Sequence, residues 1–175
     1  MYSSEAAKIR PRILKYLEGK SVLDLGCGVE KIVPWAVGVD NHSEGKAKPD
    51  IVASVDPVSR ALDFLHKRPG GGYFEVVFSS HTLEHLRSPI GETIHYWLCF
   101  VRPGGFLILY LPDERHYVYD SRYPKARNPA HVHLLTLDTL VWYVEQIPGA
   151  TVVEKFLDAE TPGHYSFLVV IQRGV

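Results

Sequence analysis

The sequence predicts an α/β domain built on a mainly parallel sheet, and three observations carry the prediction. Short aliphatic or β-branched runs alternate with stretches of helical period. Most of those runs are too apolar to keep a solvated face, so they belong to strands covered on both sides. One of them ends in a glycine turn, Gly26-Cys27-Gly28, of the kind found at the carboxyl ends of parallel strands. Length and composition agree with one core: 175 residues, 46% hydrophobic and 22% charged, suit a single globular domain over residues 1–175.

The elements follow in order. An N-terminal helix from Ser4 to Leu17 sets Ile9, Ile13 and Leu17 on one face, with Pro11 expected to bend it. Strands are predicted at Ser21 to Leu25, Ala36 to Asp40, Ile51 to Val55, Glu75 to Ser79 and Phe106 to Leu111. Asp56-Pro57 offers an N-cap acceptor before a helix-opening proline, and Ala61, Leu62 and Leu65 follow at one-face spacing. Ser88-Pro89 repeats that device ahead of a stripe of Ile94, Trp97, Leu98 and Val101. Thr136 caps a further helix carrying Leu137, Leu140, Val141 and Val144. Thr151 to Leu157 and Tyr165 to Ile171 read as a hairpin turning at Pro162-Gly163, which adds an antiparallel member to the sheet. Pro112 to Leu135, rich in Tyr, His, Arg and Pro, is too long for an ordinary connection and reads as a functional loop.

Charge and cysteine usage narrow the partners. Lys plus Arg (19) nearly cancel Asp plus Glu (20), leaving no basic field for a sequence-independent grip on nucleic acid or anionic membrane. Neither is expected as a partner. The two cysteines, Cys27 and Cys99, allow no disulfide framework and no four-thiolate zinc site. The apolar runs are too short to cross a bilayer, and the N-terminus lacks the apolar segment of a signal peptide, so a cytoplasmic location is expected.

The sharpest motif is VLDLGCGVEK, Val22 to Lys31. Gly26 permits a tight turn, and Gly28 lets a ligand approach the backbone with no Cβ in the way. Asp40, closing the next strand with Asn41 beside it, is placed to accept hydrogen bonds from ribose hydroxyls. A dinucleotide fingerprint would need glycine at Lys31. The pattern of an acid two residues before the first glycine instead resembles the S-adenosylmethionine (SAM) loop of class I methyltransferases.

That resemblance covers most of the chain. FEVVFSSHTLEHL, Phe74 to Leu86, is similar to the family's fourth-strand motif with its active-site edge, and VRPGGFLILYLPD, Val101 to Asp113, to its Pro-Gly-Gly turn and fifth strand. NPAHVHLLTLDTL, Asn128 to Leu140, resembles the segment before the last helix. The departures are Glu30 in place of the third loop glycine, Glu75 for the usual Asp, and only Val29 to Trp35 between the loop and the second strand. That linker is too short for the usual crossover helix and has room for one helical turn at most. The resemblance implies a Rossmann-like, seven-stranded mixed sheet ordered 3-2-1-4-5-7-6, helices on both faces, SAM as cofactor and S-adenosylhomocysteine (SAH) as product. It implies Asp24, Gly26, Cys27, Gly28, Asp40, Asn41, Asp56 and Ser80 as cofactor residues, with Asp56 better suited to capping a helix than to meeting adenine.

The expected activity is methyl transfer to an oxygen or nitrogen of a small polar acceptor beneath the Pro112 to Leu135 loop. His81 is the first candidate for a general base with a pKa near neutrality, with His131 and His133 as the others. Two other readings stay open: a SAM-binding partner protein without catalysis, and a zinc hydrolase using His81 and His85 of HTLEH. Ser88-Pro89 interrupts that metal-like spacing, so no metal is expected, and a homodimer is compatible with the sequence.

Overall fold

The computed structural model describes residues 4–42, 49–67, 71–117, 128–160 and 164–175. Its centre is a seven-stranded sheet in the order β3-β2-β1-β4-β5-β7-β6. The strands are β1 (Val22–Leu25), β2 (Val37–Asp40), β3 (Ile51–Val52), β4 (Phe74–Ser80), β5 (Val101–Pro112), β6 (Ala150–Asp158) and β7 (Ser166–Arg173). The first five run parallel to one another, whereas β7 runs antiparallel to β5 and to β6. This is the order that the family resemblance implies. The register sets Asp24 level with Gly38 on one side and Phe78 on the other, so β1 lies at the centre of the ligand edge.

Alternation along the strands feeds two cores. On one face, helix α1 (Glu5–Leu17) lays Ile9, Ile13 and Leu17 on Val22, Val76, Phe78, Ile108 and Tyr110. Ser4 caps α1, its Oγ accepting from the Ala7 amide, and Pro11 sits inside the helix. Ile32, Val33 and Ala36 of the short first connection complete this core, covering sheet that a crossover helix would otherwise shield. The connection contains turns only. On the other face, α2 (Ile90–Leu98) and α3 (Leu137–Glu145) pack with Leu62 and Leu65 around the buried Trp97 and Phe100. Trp97 Nε1 donates to the Val55 carbonyl at 2.9 Å, so the largest buried side chain leaves no polar atom unpaired.

Four expectations are corrected. The helix predicted after Asp56 is two 3-10 turns, Pro57–Ser59 and Asp63–Lys67, because Arg60 between them takes a left-handed conformation with φ of 51°. Ser88 does not cap α2: Pro89 holds that position and the Ser88 hydroxyl binds Asp56 instead. Val101 belongs to β5, which starts well before Phe106. Phe74 pairs with Val101 and Val76 with Phe106, so Arg102 to Gly105 bulge out, and a Cβ on Gly105 would press on the Glu75 carbonyl at 2.6 Å. The third strand stops at Val52, leaving Ser54 and Val55 to border the site. The capping box at Thr136 is present, closed by Thr139. The turn at Pro162-Gly163 and residues 118–127 of the long loop, Tyr119 among them, lie outside the described residues. Among those described, no helix is long and apolar enough to cross a membrane.

Ile13 is fully buried between α1 and the sheet. Replacing it with Ala should cost about 2 to 5 kcal/mol, read as a lower urea midpoint at unchanged slope.

Candidate functional site

The site forms where β1, β2 and β4 end. Gly26 (φ 74°) and Gly28 (φ 54°) both need the left-handed region. The Gly26 and Cys27 amides donate to the Val39 carbonyl at 2.8 and 3.1 Å, folding the loop over the end of β2. A Cβ on Gly26 would collide with Thr82, whereas one on Gly28 would meet nothing, so Gly28 faces open space. Its amide donates to Asp40 Oδ2 at 2.9 Å, and Asp40 Oδ1 accepts from the His42 amide at 3.0 Å. A carboxylate has about four lone-pair directions, so Asp40 keeps acceptor capacity for a ligand.

Asp24 closes the loop from beneath. Its Oδ2 accepts from the Ile32 amide at 2.6 Å, while Arg10 Nε donates to the Ile32 carbonyl at 2.6 Å. Burial pushes the Asp24 carboxyl up to about 7, opposed by the Ile32 hydrogen bond and by Lys31. Cys27 turns its thiol inward against Gly38, and burial, aided by the neighbouring Asp24 and Asp40, raises it to about 12. It packs beneath the loop, and it borders a cavity beside the loop together with Asp24 and Gly28.

Two cavities flank this loop. One, of about 410 Å³, is bordered by Asp40, Asn41, His42, Ser54, Val55 and Leu86. The other, of about 280 Å³, is bordered by Asp24, Ser80, Phe78 and the start of α1 at Ser4, Glu5 and Ala6. Gly26, Gly28 and His81 border both. Taken together they match the size of ordinary small-ligand sites. A larger cavity of about 720 Å³, between α2 and the Pro57 turn, shares none of these residues. The double cavity fits a molecule with a nucleoside at one end and an amino acid at the other. Asp40, with acceptor capacity to spare, stands in one half. In the other, acidic Asp24 and Glu5 stand beside a buried Ser80 Oγ that has no hydrogen-bond partner among the described residues. SAM has this form, and the residues fit it.

His81, at the junction, has a φ of 49°, uncommon for a residue with a Cβ. Its Nε2 lies 2.9 Å from Ser166 Oγ and 3.7 Å from Glu5 Oε2, and its Nδ1 3.8 Å from Glu84 Oε1. Burial pulls its pKa down to about 3, with Lys8 and His131 adding to the effect. The expected near-neutral base is therefore not found at this position, because desolvation disfavours the imidazolium. Glu84 follows on the single turn Leu83–His85, and burial pushes its carboxyl up to about 8.

Several predicted residues fall elsewhere. Asp56 borders neither cavity: its carboxylate binds the amides of Val58 and Arg87 and the hydroxyl of Ser88, and these bonds hold it below the usual carboxylate range despite its burial. His133 donates from Nε2 to the Ser88 carbonyl at 3.0 Å, which makes it a latch for the long loop. His131 also stays out of both cavities and packs on His85 and Tyr117. The two-histidine zinc motif does not form as such, since HTLEH lies on a strand end and one 3-10 turn rather than on a helix face. Glu5, Thr82 and His85 were not assigned to the cofactor site from sequence. Glu5 carries no sequence signal, because its place depends on where α1 docks.

The sequence profile of a methyltransferase domain family matches residues 2–155. The chain belongs to that family. It is similar to a tRNA U34 carboxymethyltransferase of Stutzerimonas stutzeri (strain A1501), 28% identical over 164 residues. The match covers 82% of this chain and 45% of the relative, so the chain spans under half of that protein. A SAM-dependent methyltransferase from Archaeoglobus fulgidus shares the fold with a TM-score of 0.66 at 17% identity, over 97% of this chain and 95% of that one. The 1,6-didemethyltoxoflavin-N1-methyltransferase of Burkholderia thailandensis, solved with SAH, does so with 0.65 at 15% identity, over 98% and 79%. Sheet order and family place this domain with the class I, Rossmann-like, SAM-dependent methyltransferases.

The raised pKa of Asp24 makes a stability prediction. A carboxyl that holds its proton more tightly when folded contributes stability that is complete below pH 3.8 and lost as pH rises through about 7. In Asp24→Asn, which keeps an acceptor for the Ile32 amide, urea titrations of the ligand-free protein should lose that decline between about pH 4 and 7.

Proposed function

We propose that this domain binds SAM across the two cavities and transfers its methyl group to an oxygen or nitrogen of a small polar acceptor. The carrying observation is the paired cavity meeting at Gly26, Gly28 and His81, with Asp40 in one half and Asp24 in the other. Asp40 and Asn41 would take the ribose hydroxyls, Ser54 and Val55 would border the base, and Asp24, Glu5 and Ser80 would meet the amino-acid end. When bound, the sulfonium supplies a methyl group that is already electrophilic. The chain's task is then to orient the acceptor, exclude water and receive a proton. His81 is neutral in its buried position and accepts a hydrogen bond from a hydroxyl or amine, which aims the nucleophile. The Asn128 to Leu135 segment supports a wall on that side, its Val132 and His133 amides donating to the Glu84 carbonyl at 2.7 and 3.0 Å.

The relatives support a second reading, in which the acceptor is a tRNA nucleoside. Their names run against the expectation, drawn from the net charge of −1, that nucleic acid is not a partner. Methyl transfer from labelled SAM to bulk tRNA, set beside a panel of small hydroxylated and amino acceptors, separates the two. Label in small acceptors supports the first reading, and label in tRNA alone replaces it with the second.

SAH should bind and NAD should not. Asp40→Ala should weaken SAH by about 1.5 to 3 kcal/mol in calorimetry, and Asp40→Asn by less, since the amide oxygen still accepts from Gly28. Unchanged affinity in Asp40→Ala would remove this residue from the site. If Asp24 meets the ammonium of the ligand, its pKa falls on binding and a proton leaves near pH 7. The binding heat should then vary with buffer ionisation enthalpy for the native chain and less so for Asp24→Asn. His81→Ala, which removes the acceptor that aims the nucleophile, should lower turnover by about 100-fold with SAH affinity nearly intact.

A further inference from the structure

Glu84 is anomalous. It is 1% exposed, and neither carboxylate oxygen has a hydrogen-bond partner among the described residues. A buried carboxylate left unpaired is costly, and proteins resolve that cost with a proton, a cation or a metal ion. The neighbours supply metal-binding chemistry. His85 Nε2 lies 3.7 Å from Glu84 Oε1, and the ring of His131 stands 5.0 Å from that of His85, centroid to centroid. One ligand atom from each of Glu84, His85 and His131 lies within 4.8 Å of the other two. Ligand atoms bonded at about 2.0 to 2.1 Å around tetrahedral zinc stand roughly 3.3 Å apart, so small side-chain rotations would close the set.

The surroundings are ordered for this purpose. His85 Nδ1 lies 2.9 Å from the Ala130 carbonyl, which only accepts, so Nδ1 carries the hydrogen and Nε2 keeps its lone pair. A ring nitrogen tied to a carbonyl while the other faces the cluster is the usual support of a metal-bound histidine. Ala130 is the residue before His131, so one short segment both supplies a ligand and orients another. The same segment is fixed to the Glu84 turn by the Val132 and His133 amides. Glu114 Oε2 stands 4.0 Å from His131 Nδ1, close enough to add negative charge beside the cluster but beyond hydrogen-bond distance.

We propose that Glu84, His85 and His131 form a binding site for a divalent first-row transition-metal ion, with Zn²⁺ the best match to two imidazoles and one carboxylate. The sequence expectation of no metal considered His81 and His85 on a helix. The fold assigns His81 Nε2 to Ser166 and brings His131 in from the long loop instead. Because His85 borders the cavity of about 410 Å³ that holds Asp40, the ion would stand at its rim, where a remaining coordination position suits an oxygen of the acceptor. That last role rests on the methyl-transfer reading, whereas metal binding itself does not.

The test is calorimetric titration of the chelator-stripped full chain with Zn²⁺, followed by Co²⁺ with its visible absorption as a report on the ligands. One Zn²⁺ per chain is expected. Affinity should fall about 100-fold or more in Glu84→Gln and in His131→Ala, at or beyond the upper end of what losing an outer-shell partner costs, and should be unchanged in His95→Gln on the surface of α2. Circular dichroism checks that the variants fold. Should both buried-site variants fail to fold, His85→Gln at the partly exposed position decides, and native affinity in it would overturn the proposal. No stoichiometric binding by the native chain, or equal binding by Glu84→Gln and His131→Ala, would overturn it as well. SAH titration of the same samples reports separately on the cofactor site: loss of SAH binding with Zn²⁺ retained would sink the methyl-transfer reading and leave the metal site standing.

Discussion

The hydrogen bond from the Ile32 amide to the buried Asp24 carboxylate is the constraint around which this domain is arranged. A parallel pair needs a crossover, usually a helix, to carry the chain back to the start of the next strand. Here the return from Gly28 to Val37 is made by turns alone, and a span that short needs an internal anchor. Asp24 provides it from the end of β1 by accepting from the Ile32 amide, and Arg10 of α1 donates to the carbonyl of the same residue. With that residue fixed, Ile32 and Val33 drop into the core beneath α1, and the glycine loop is left level with the ends of β1, β2 and β4. Anchor and site are therefore one feature, since the carboxyl that shortens the crossover also borders the cavity where an amino group would sit.

The trimming has a second consequence at α1. Without a crossover helix, the N-terminal helix is the principal cover for its face of the sheet, and its first turn becomes a wall of the smaller cavity. One helix thus serves both core and cavity: its amphipathic face holds the core, while Ser4 and Glu5 at its start border the smaller cavity.

The fold was legible because local signals and tertiary packing agree in this chain. The periodicity of Ile9, Ile13 and Leu17, the cap at Thr136 and the apolar runs of the central strands each name one structure. Where two demands met at one residue, the reading went astray. Asp56-Pro57 has the form of a helix start, but the fold spends Asp56 on tying the Pro57 turn to Arg87 and Ser88, and the same bond takes Ser88 away from capping α2. At the site, Asp24, Gly26, Gly28, Asp40, Asn41, Ser80 and His81 fall on the cavities because they sit at strand ends or in the loop between them, a place the pattern itself encodes. His131 and His133 could not be placed this way. They lie on a segment whose course depends on contacts with the Glu84 turn, far away in sequence, and spacing holds no record of such a contact.

The account's central claim, that the loop anchored by Asp24 seats SAM across two joined cavities, is tested most directly by the crystal structure of the full chain with SAH. The account predicts the ribose against Asp40, the base beside Ser54 and Val55, and the amino-acid end between Asp24, Ser80 and the first turn of α1. SAH bound instead in the larger cavity between α2 and the Pro57 turn, or a glycine loop filled by its own side chains with no ligand entering, would contradict it.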